Sequence, residues 1–311
     1  HCPPPGSADD TAPIPGGTGA VVQSLDMLRE LVADPWLMGR IAANHALSDL
    51  YASGARPVSA LAAISLPFAG PQILQRELQQ LLAGALHEMA RVDCLLAGGH
   101  SMQGPELSIG FAVNGVAMAS DGRWLHKRGL AVGDKLVLTK PLGTGVLFAA
   151  HMQLRADGRD IATAIDSMLA SNGPAAELAL THLASACTDI TGFGLLGHLL
   201  EMLGEQFSAS LQLAQLPLLP GALAQLRAGV RSSMHPANAL ASAGLVTDGP
   251  VDEELLQILF DPQTSGGLLI GVEAGRADAL RDALGCHGYP QAQIIGEVTA
   301  LNPEAPGVRI A

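Results

Sequence analysis

Hydrophobic and polar positions alternate along this chain in two rhythms. Short apolar runs bounded by Gly, Pro or Asp predict strands at 19–26, 59–66, 94–97, 107–118, 135–139, 268–272 and 292–298. Longer stretches with apolar residues three and four apart predict helices at 40–51, 72–90, 145–152, 161–169, 174–184, 194–204, 252–259 and 274–284. Strands and helices alternate throughout, so the expected class is mixed α/β. The stretch 229–250 reads as loop. The polar, turn-rich stretch 119–133 reads as a linker, which divides an N-terminal domain, 1–125, from a C-terminal domain, 126–311. No short internal repeat is present.

The helix beginning near Arg40 departs from the usual pattern. At about 100° per residue, Ala42, Ala43, Ala46, Leu47 and Leu50 form an apolar arc. Arg40, Asn44, His45, Ser48 and Asp49 form the opposite arc, interrupted only by Ile41. A solvated face is ordinarily Lys and Glu. This one carries short polar side chains of fixed reach, suited to holding something.

Composition narrows the picture. The 311 residues are 48% hydrophobic, enough for a packed core and against disorder. No apolar run reaches the roughly 18 residues that a membrane span needs, and His1 to Asp10 is not a basic-then-apolar leader. The expectation is a soluble, cytoplasmic protein with no membrane partner. The net charge of −12 speaks against nucleic acid as a partner. It leaves room for an anionic small substrate if divalent metal carries the positive charge. The four cysteines are widely spaced and form no CxxC pair, so neither a disulfide framework nor a zinc site is expected. Cys94 and Cys187 sit in apolar runs and read as buried, reduced thiols.

Two sets of residues are candidates for chemistry. Asp10, Asp26, Asp49 and Asp189 stand at element ends or on the polar helix face, among small or apolar neighbours rather than lysines. Mg²⁺ prefers such hard carboxylate oxygens together with substrate phosphates. Taken alone, any one of these aspartates is better explained as a helix cap or turn former. The second set is glycine-containing turns. Gly98-Gly99-His100-Ser101 follows a predicted strand, Gly143-Thr144-Gly145 precedes a helix with Lys140 just ahead, and Gly192 and Gly194 flank Phe193. Amides at such turns can receive phosphate oxygens, or the turns can serve packing alone. Lys140 can meet phosphate or sit in solvent. No Walker loop, Rossmann fingerprint or nucleophile elbow is present.

Several stretches taken together, in this order, resemble the selenophosphate synthetase family. They are Ala8-Asp9-Asp10, Asp34-Pro35, GRIAANHALSD (39–49), AGGHS (97–101), LTKPLGTG (138–145), TDITGFGLLGH (188–198) and DPQTSGG (261–267), and they cover nearly the whole chain. The last two are the most specific. The resemblance implies the two-domain fold of aminoimidazole ribonucleotide synthetase, thiamine-monophosphate kinase and a hydrogenase-maturation protein. Its N-terminal domain forms a dimer β-barrel with a partner's, its C-terminal domain is α+β, and ATP lies between them. The implied reaction turns ATP, selenide and water into selenophosphate, AMP and phosphate. By motif, Asp10, Asp49 and Asp189 would hold Mg²⁺. Asp9, Asp10, Asp26, Asp49, Gly98, Gly99, His100 and Ser101 would form the nucleotide site, in a homodimer. NHALSD (44–49) and FAVNG (111–115) are similar to the form fused behind a flavin-dependent oxidoreductase, which implies such an upstream partner domain.

The family also carries a Gly-rich segment with a Cys or selenocysteine and a Lys ahead of the stretch matching Ala8-Asp9-Asp10. Cys2 is followed by three prolines with no nearby Lys and is not equated with it; either the segment lies outside the given sequence or this form lacks it, and the sequence just ahead of His1 would decide between them. Gln-Ser-Leu precedes Asp26 where the family often has Thr-Thr. Two other readings stand beside the first: a nucleotide-binding dimer module without turnover, and another ATP-dependent enzyme of the same fold.

Overall fold

The alternating pattern of the first half becomes a five-stranded sheet. The computed structural model describes residues 9–14, 21–247, 249–302 and 307–310. Cys2, Ala8, Gly19 and Ala20 lie outside them. The described residues between Asp10 and Trp124 make one unit. Its strands are β1 (Ala12–Pro13), β2 (Val21–Arg29), β3 (Ala55–Pro67), β4 (Leu95–Gly104) and β5 (Ser108–Ala117), in the order β1-β2-β5-β3-β4. Helix α1 (Pro35–Ala52) lies against β2, β3 and β5, and α2 (Pro71–Ala90) lies against α1. Asp34 starts α1, accepting the Trp36 and Leu37 amides at 2.9 and 3.2 Å, with Pro35 next in line.

Two glycines let the helices meet at backbone distance. A Cβ on Gly39 would lie 2.0 Å from the Leu81 carbonyl oxygen, and one on Gly84 would lie 1.9 Å from that of Trp36. Arg40 then reaches the buried Glu88 on α2 at 2.5 Å and stacks over the Trp36 ring. The polar arc of α1 is therefore largely enclosed, with Arg40 and Asp49 only partly buried. Arg40 ties α1 to α2, and Asn44, His45 and Ser48 are buried beside the apolar arc.

One face of this sheet is buried, with Ala60, Ala62, Ile64 and Leu66 of β3 alternating, and Ile109, Phe111 and Val113 of β5. The other face carries Leu25, Met27, Leu61, Leu95 and Met102, all about half exposed or more. Cross-strand register sets Leu25, Ala112, Leu61 and Gly98 in one row, and Met27, Gly110, Ala63 and His100 in the next. Gly98 to Ser101 do not form the expected turn. They lie inside β4, which runs parallel to β3 and gains one residue where the pairing passes from Ala60–Leu96 to Leu61–Gly98. Gly99 comes so close that a Cβ would sit 2.2 Å from the Ala62 carbonyl oxygen. Pattern missed this extension because an edge strand of small and polar residues has no buried face to mark it.

The second unit comprises Asp9 and the described residues from Leu125 onward. Its seven-stranded sheet contains β6 (Lys135–Leu138), β7 (Ala186–Asp189), β8 (Phe207–Leu211), β9 (Leu245–Thr247), β10 (Leu268–Val272), β11 (Gln293–Ala300) and β12 (Val308–Ile310). Their order is β7-β10-β6-β11-β8-β12-β9, antiparallel except where β12 joins β8 and β9. The helices are α3 (Thr144–Met152), α4 (Gly158–Leu169), α5 (Gly173–Thr181), α6 (Gly194–Leu203), α7 (Ala222–Arg227), α8 (His235–Asn238), α9 (Glu253–Leu256) and α10 (Ala274–Cys286). Short elements that depend on distant partners escaped the sequence pattern: β8, β12 and α7, and α8 and β9 inside the stretch read as loop. Cys94 and Cys187 are buried thiols as expected, and burial pushes the Cys94 thiol up to about 11.

Gly84→Val is expected to cost ~1–3 kcal/mol in urea unfolding, because the new side chain meets backbone that cannot yield. Gly275→Ala in α10, where a Cβ meets nothing within 4 Å, is the control and should be neutral or stabilising by up to about 1 kcal/mol. Equal midpoints for both variants would refute the close approach of the helices.

Candidate functional site

In the first unit, α1 and β2 bring acidic groups together. Asp49 is half-buried near the C-terminal end of α1, and Ser24 Oγ on β2 donates a short hydrogen bond to its Oδ2. Thr11 donates to Ser53 Oγ at 3.0 Å, which holds the segment of Asp10 along the same end of the helix. Asp10 and Asp49 then present carboxylate oxygens within 4.8 Å of each other. Asp26 follows Ser24 by two residues on the same face of β2, half-buried. His100 belongs to the opposite face of the sheet, in register with Ala63, whereas Gly99 and Ser101 pair with Ala62 and Ile64 of the buried face. A cavity of about 250 Å³ opens beside them, walled by Ala62, Ile64, Leu78, Leu82 and Leu96.

In the second unit, the ends of β6 and β7 and the start of β10 meet at one edge of the sheet, with Leu268 opposite Asp189 and Leu269 opposite Leu138. Three sequence stretches converge there. The turn 143–146 is no phosphate cradle, because its donors are already taken. Gln263 Oε1 accepts from the Gly143 amide, the Thr144 amide and Thr144 Oγ1 at 3.0, 3.2 and 3.1 Å. The amides of Gly145 and Val146 are directed at the Asp261 carboxyl. The start of α3 is thus satisfied from within the protein. Burial pushes the Asp261 carboxyl up to about 7 against those hydrogen bonds.

Lys140 meets neither of its two expected surroundings. It is buried, and its Nζ donates to the carbonyls of Ala170 at 2.5 Å and Ser265 at 3.1 Å. Burial lowers its pKa to about 7, while the charge of nearby Asp189 pulls it back up. Asp189 is itself buried at the end of β7. The turn after it is held on every side. Ile190 N–H donates to Gly267 O at 2.8 Å, Gln263 N–H to Thr191 O at 2.9 Å, and Asn238 Nδ2 to Gly192 O at 2.8 Å. Gly266 permits this contact, since a Cβ there would lie 2.0 Å from the Ile190 carbonyl oxygen.

Asp9 is placed by this second unit. Its Oδ1 accepts the Lys127 amide at 3.1 Å, and its Oδ2 lies 3.0 Å from His126 Nδ1. Sequence reading missed Ser24, His126, Lys127, Gln263 and Asn238, whose roles come from partners far along the chain. The repeated Gly and amide residues of DPQTSGG hinted at close backbone packing, but nothing in the sequence named α3 as its partner.

The chain matches the family of AIR synthase related proteins, with the N-terminal domain model over residues 8–117 and the C-terminal domain model over residues 131–307. A protein of Trichlorobacter lovleyi named selenide, water dikinase is 40% identical over 281 residues, which is 90% of this chain and 80% of that protein. One of the same name from Pelobacter propionicus is 37% identical over 286 residues, again 90% and 80%. Among solved structures, hydrogenase maturation protein HypE in complex with ATP superposes with a TM-score of 0.71 at 18% identity, over 95% of this chain and 82% of that one. That last likeness is one of fold.

The buried Asp261 makes stability depend on pH. Asp titrates near about 3.9 in an unfolded chain and at about 7 in this fold. Between those values the folded protein holds the extra proton, so stability falls as pH rises through the window. Asp261→Asn is expected to flatten that fall by roughly 3–4 kcal/mol. Urea midpoints measured from pH 4.5 to 8 check it, and identical slopes in the two proteins would refute it.

Proposed function

The chain belongs to the selenide, water dikinase family of AIR synthase related proteins, and from that premise we propose how its residues serve ATP-dependent synthesis of selenophosphate. In that reaction ATP, selenide and water give selenophosphate, AMP and phosphate. The observation that carries this reading is the 40% identity over 90% of the chain, with family matches in both halves. HypE, a neighbour of another name, shares the fold alone at 18% identity.

In this reading Asp10, Asp49 and Asp189 hold Mg²⁺. The donors suit it: they are hard carboxylate oxygens, and Asp10 and Asp49 crowd to within 4.8 Å, a like-charge spacing that a divalent cation relieves. When bound, the metal would neutralise triphosphate charge and stabilise the transferring phosphoryl groups. The protein's own residues orient and shield. Ser24 fixes one oxygen of Asp49. Asp26 lines the nucleotide site on the same strand face. Asp9, held by His126 and Lys127, sets the path of the chain into Asp10. Gly98, Gly99, His100 and Ser101 supply nucleotide contacts from β4, and β4 borders an apolar cavity. Selenide is already an anion at neutral pH, so the site's task is to shield it from phosphate and water rather than to deprotonate it.

The apolar sheet face of Leu25, Met27, Leu61, Leu95 and Met102 fits a second copy of this chain, whose sheet would close a barrel against it. The NHALSD and FAVNG wording supports an upstream flavin-dependent oxidoreductase domain. Buried reduced thiols at Cys94 and Cys187 support a reducing, cytoplasmic setting. Among the described residues, no helix is long and apolar enough to cross a membrane.

The full-length protein is expected to release AMP from ATP and Mg²⁺ only when selenide is present; AMP release that ignores selenide, or none at all, would sink the reading. Asp49→Asn and Asp189→Asn should each weaken Mg²⁺-dependent nucleotide binding at least about tenfold by calorimetry. Unchanged affinity in both would remove them as ligands. Light scattering at micromolar concentration should give the mass of a dimer, and Leu61→Glu on the uncovered face should shift it toward monomer; a wild-type monomer would contradict the barrel.

A further inference from the structure

A line of polar groups runs behind the turn that follows β7, and the reading above gives most of it no task. Lys127, whose amide holds Asp9, donates its Nζ proton to Glu201 Oε2 at 3.0 Å. The same oxygen lies 3.6 Å from Nδ1 of His198, three residues earlier on α6. The buried His198 ring turns its other nitrogen to Thr191, with Nε2 3.2 Å from the backbone nitrogen and 3.2 Å from Oγ1. Thr191 stands two residues beyond Asp189.

The proton inventory of this line is restrictive. A backbone N–H can only donate, so Nε2 of His198 must accept, and a neutral ring then carries its proton on Nδ1. Nδ1 is buried and makes no hydrogen bond of its own; the Glu201 carboxylate, 3.6 Å away and paired with Lys127, favours a proton there by its charge. Burial brings the imidazole down to about 4, against the pull of Glu201, so the ring is neutral at pH 7. Thr191 is thereby gripped at both ends of its peptide units: Gln263 donates to its oxygen at 2.9 Å, and His198 accepts from its nitrogen. Groups outside the ligand set that fix a ligand's surroundings also fix its direction. Here the imidazole spends its accepting nitrogen on the peptide rather than on the metal.

We propose that His198 is a positioning residue for Asp189, that Glu201 and Lys127 set its tautomer, and that Lys127 at the same time anchors Asp9, the neighbour of Asp10. The proposal rests on the reading of Asp189 as a metal ligand. The ring never meets substrate; it fixes the backbone that leaves the carboxylate, while the Lys127 amide fixes the backbone that enters Asp10.

The test has two arms on the full chain. In the first, nitrogen-15 NMR of the histidine rings, with the His198 signal assigned by its loss in His198→Gln, is expected to give a neutral Nδ1–H imidazole at pH 7 without metal. An Nε2–H tautomer or an imidazolium would overturn the proposal. In the second, Mn²⁺ replaces Mg²⁺ and is titrated by electron paramagnetic resonance in the presence of a non-hydrolysable ATP analogue. His198→Leu is expected to weaken Mn²⁺ binding roughly 10–100-fold. His198→Gln, whose amide oxygen can take the place of Nε2, should recover most of that loss. Equal thermal destabilisation by both variants with unchanged Mn²⁺ affinity would mean a purely structural ring and overturn the proposal. Should His198→Leu not fold, Glu201→Gln takes its place: weaker Mn²⁺ binding supports the proposal and unchanged binding overturns it. Asp189→Asn separates the two levels. If it binds Mn²⁺ like the wild type, the metal reading fails and this proposal with it. If it binds weakly while the His198 variants bind normally, only this proposal fails.

Discussion

One side-chain oxygen governs the second unit. Gln263 Oε1 takes two amides and a hydroxyl at the buried start of α3. Helix starts leave donors that the helix cannot satisfy, and leaving them bare inside a protein costs about 1–3 kcal/mol each. Once Gln263 must lie there, the segment from Asp261 to Gly267 must run across the ends of β6 and β7. Its carbonyl at Ser265 then receives Lys140, and its amide at Gln263 and carbonyl at Gly267 hold the turn after Asp189. The most specific stretches in the sequence are in this way partners of one another. Much of their specificity is structural: glycines where backbones touch, and an amide where a helix needs an acceptor.

The first unit meets an opposite constraint. Helix α1 is hemmed in by sheet and by α2, yet half of its circumference is polar. Arg40 answers this with an ion pair to Glu88 and a stacking contact on Trp36. Further along, Ser24 answers it for Asp49. What this leaves is a carboxylate held rather than hidden, close to Asp10. In a chain with a net charge of −12, gathering two acids in this way is unfavourable unless a cation joins them.

Much was legible before the fold was known. Periodicity located most of the longer helices and the central strands, because burying one face leaves a repeat of 3.6 or 2 in the sequence. It marked Asp49 as unusual from its neighbours alone. It failed for β4, where small residues at a sheet edge carry no such repeat, and for the brief strands β12, which forms against β8, and β9, which forms against β12. It also misjudged Lys140. Neither expected surrounding allowed for a lysine buried among carbonyls, since burial of a charge is set by atoms far along the chain, here 30 and 125 residues away.

The sequence by itself determined the α/β alternation, the acidic balance, the buried thiols and, through its motifs, the family and its reaction. These are properties of local pattern or of residue identity, and both survive without coordinates. Tertiary structure alone decided that the turn before α3 is closed to phosphate, that Asp9 is held by His126 and Lys127, and that His198 reaches Thr191. The physical reason is the same in each case. A hydrogen bond is a matter of distance and direction between groups far apart in the chain, and no one-dimensional pattern encodes which donor will find which acceptor.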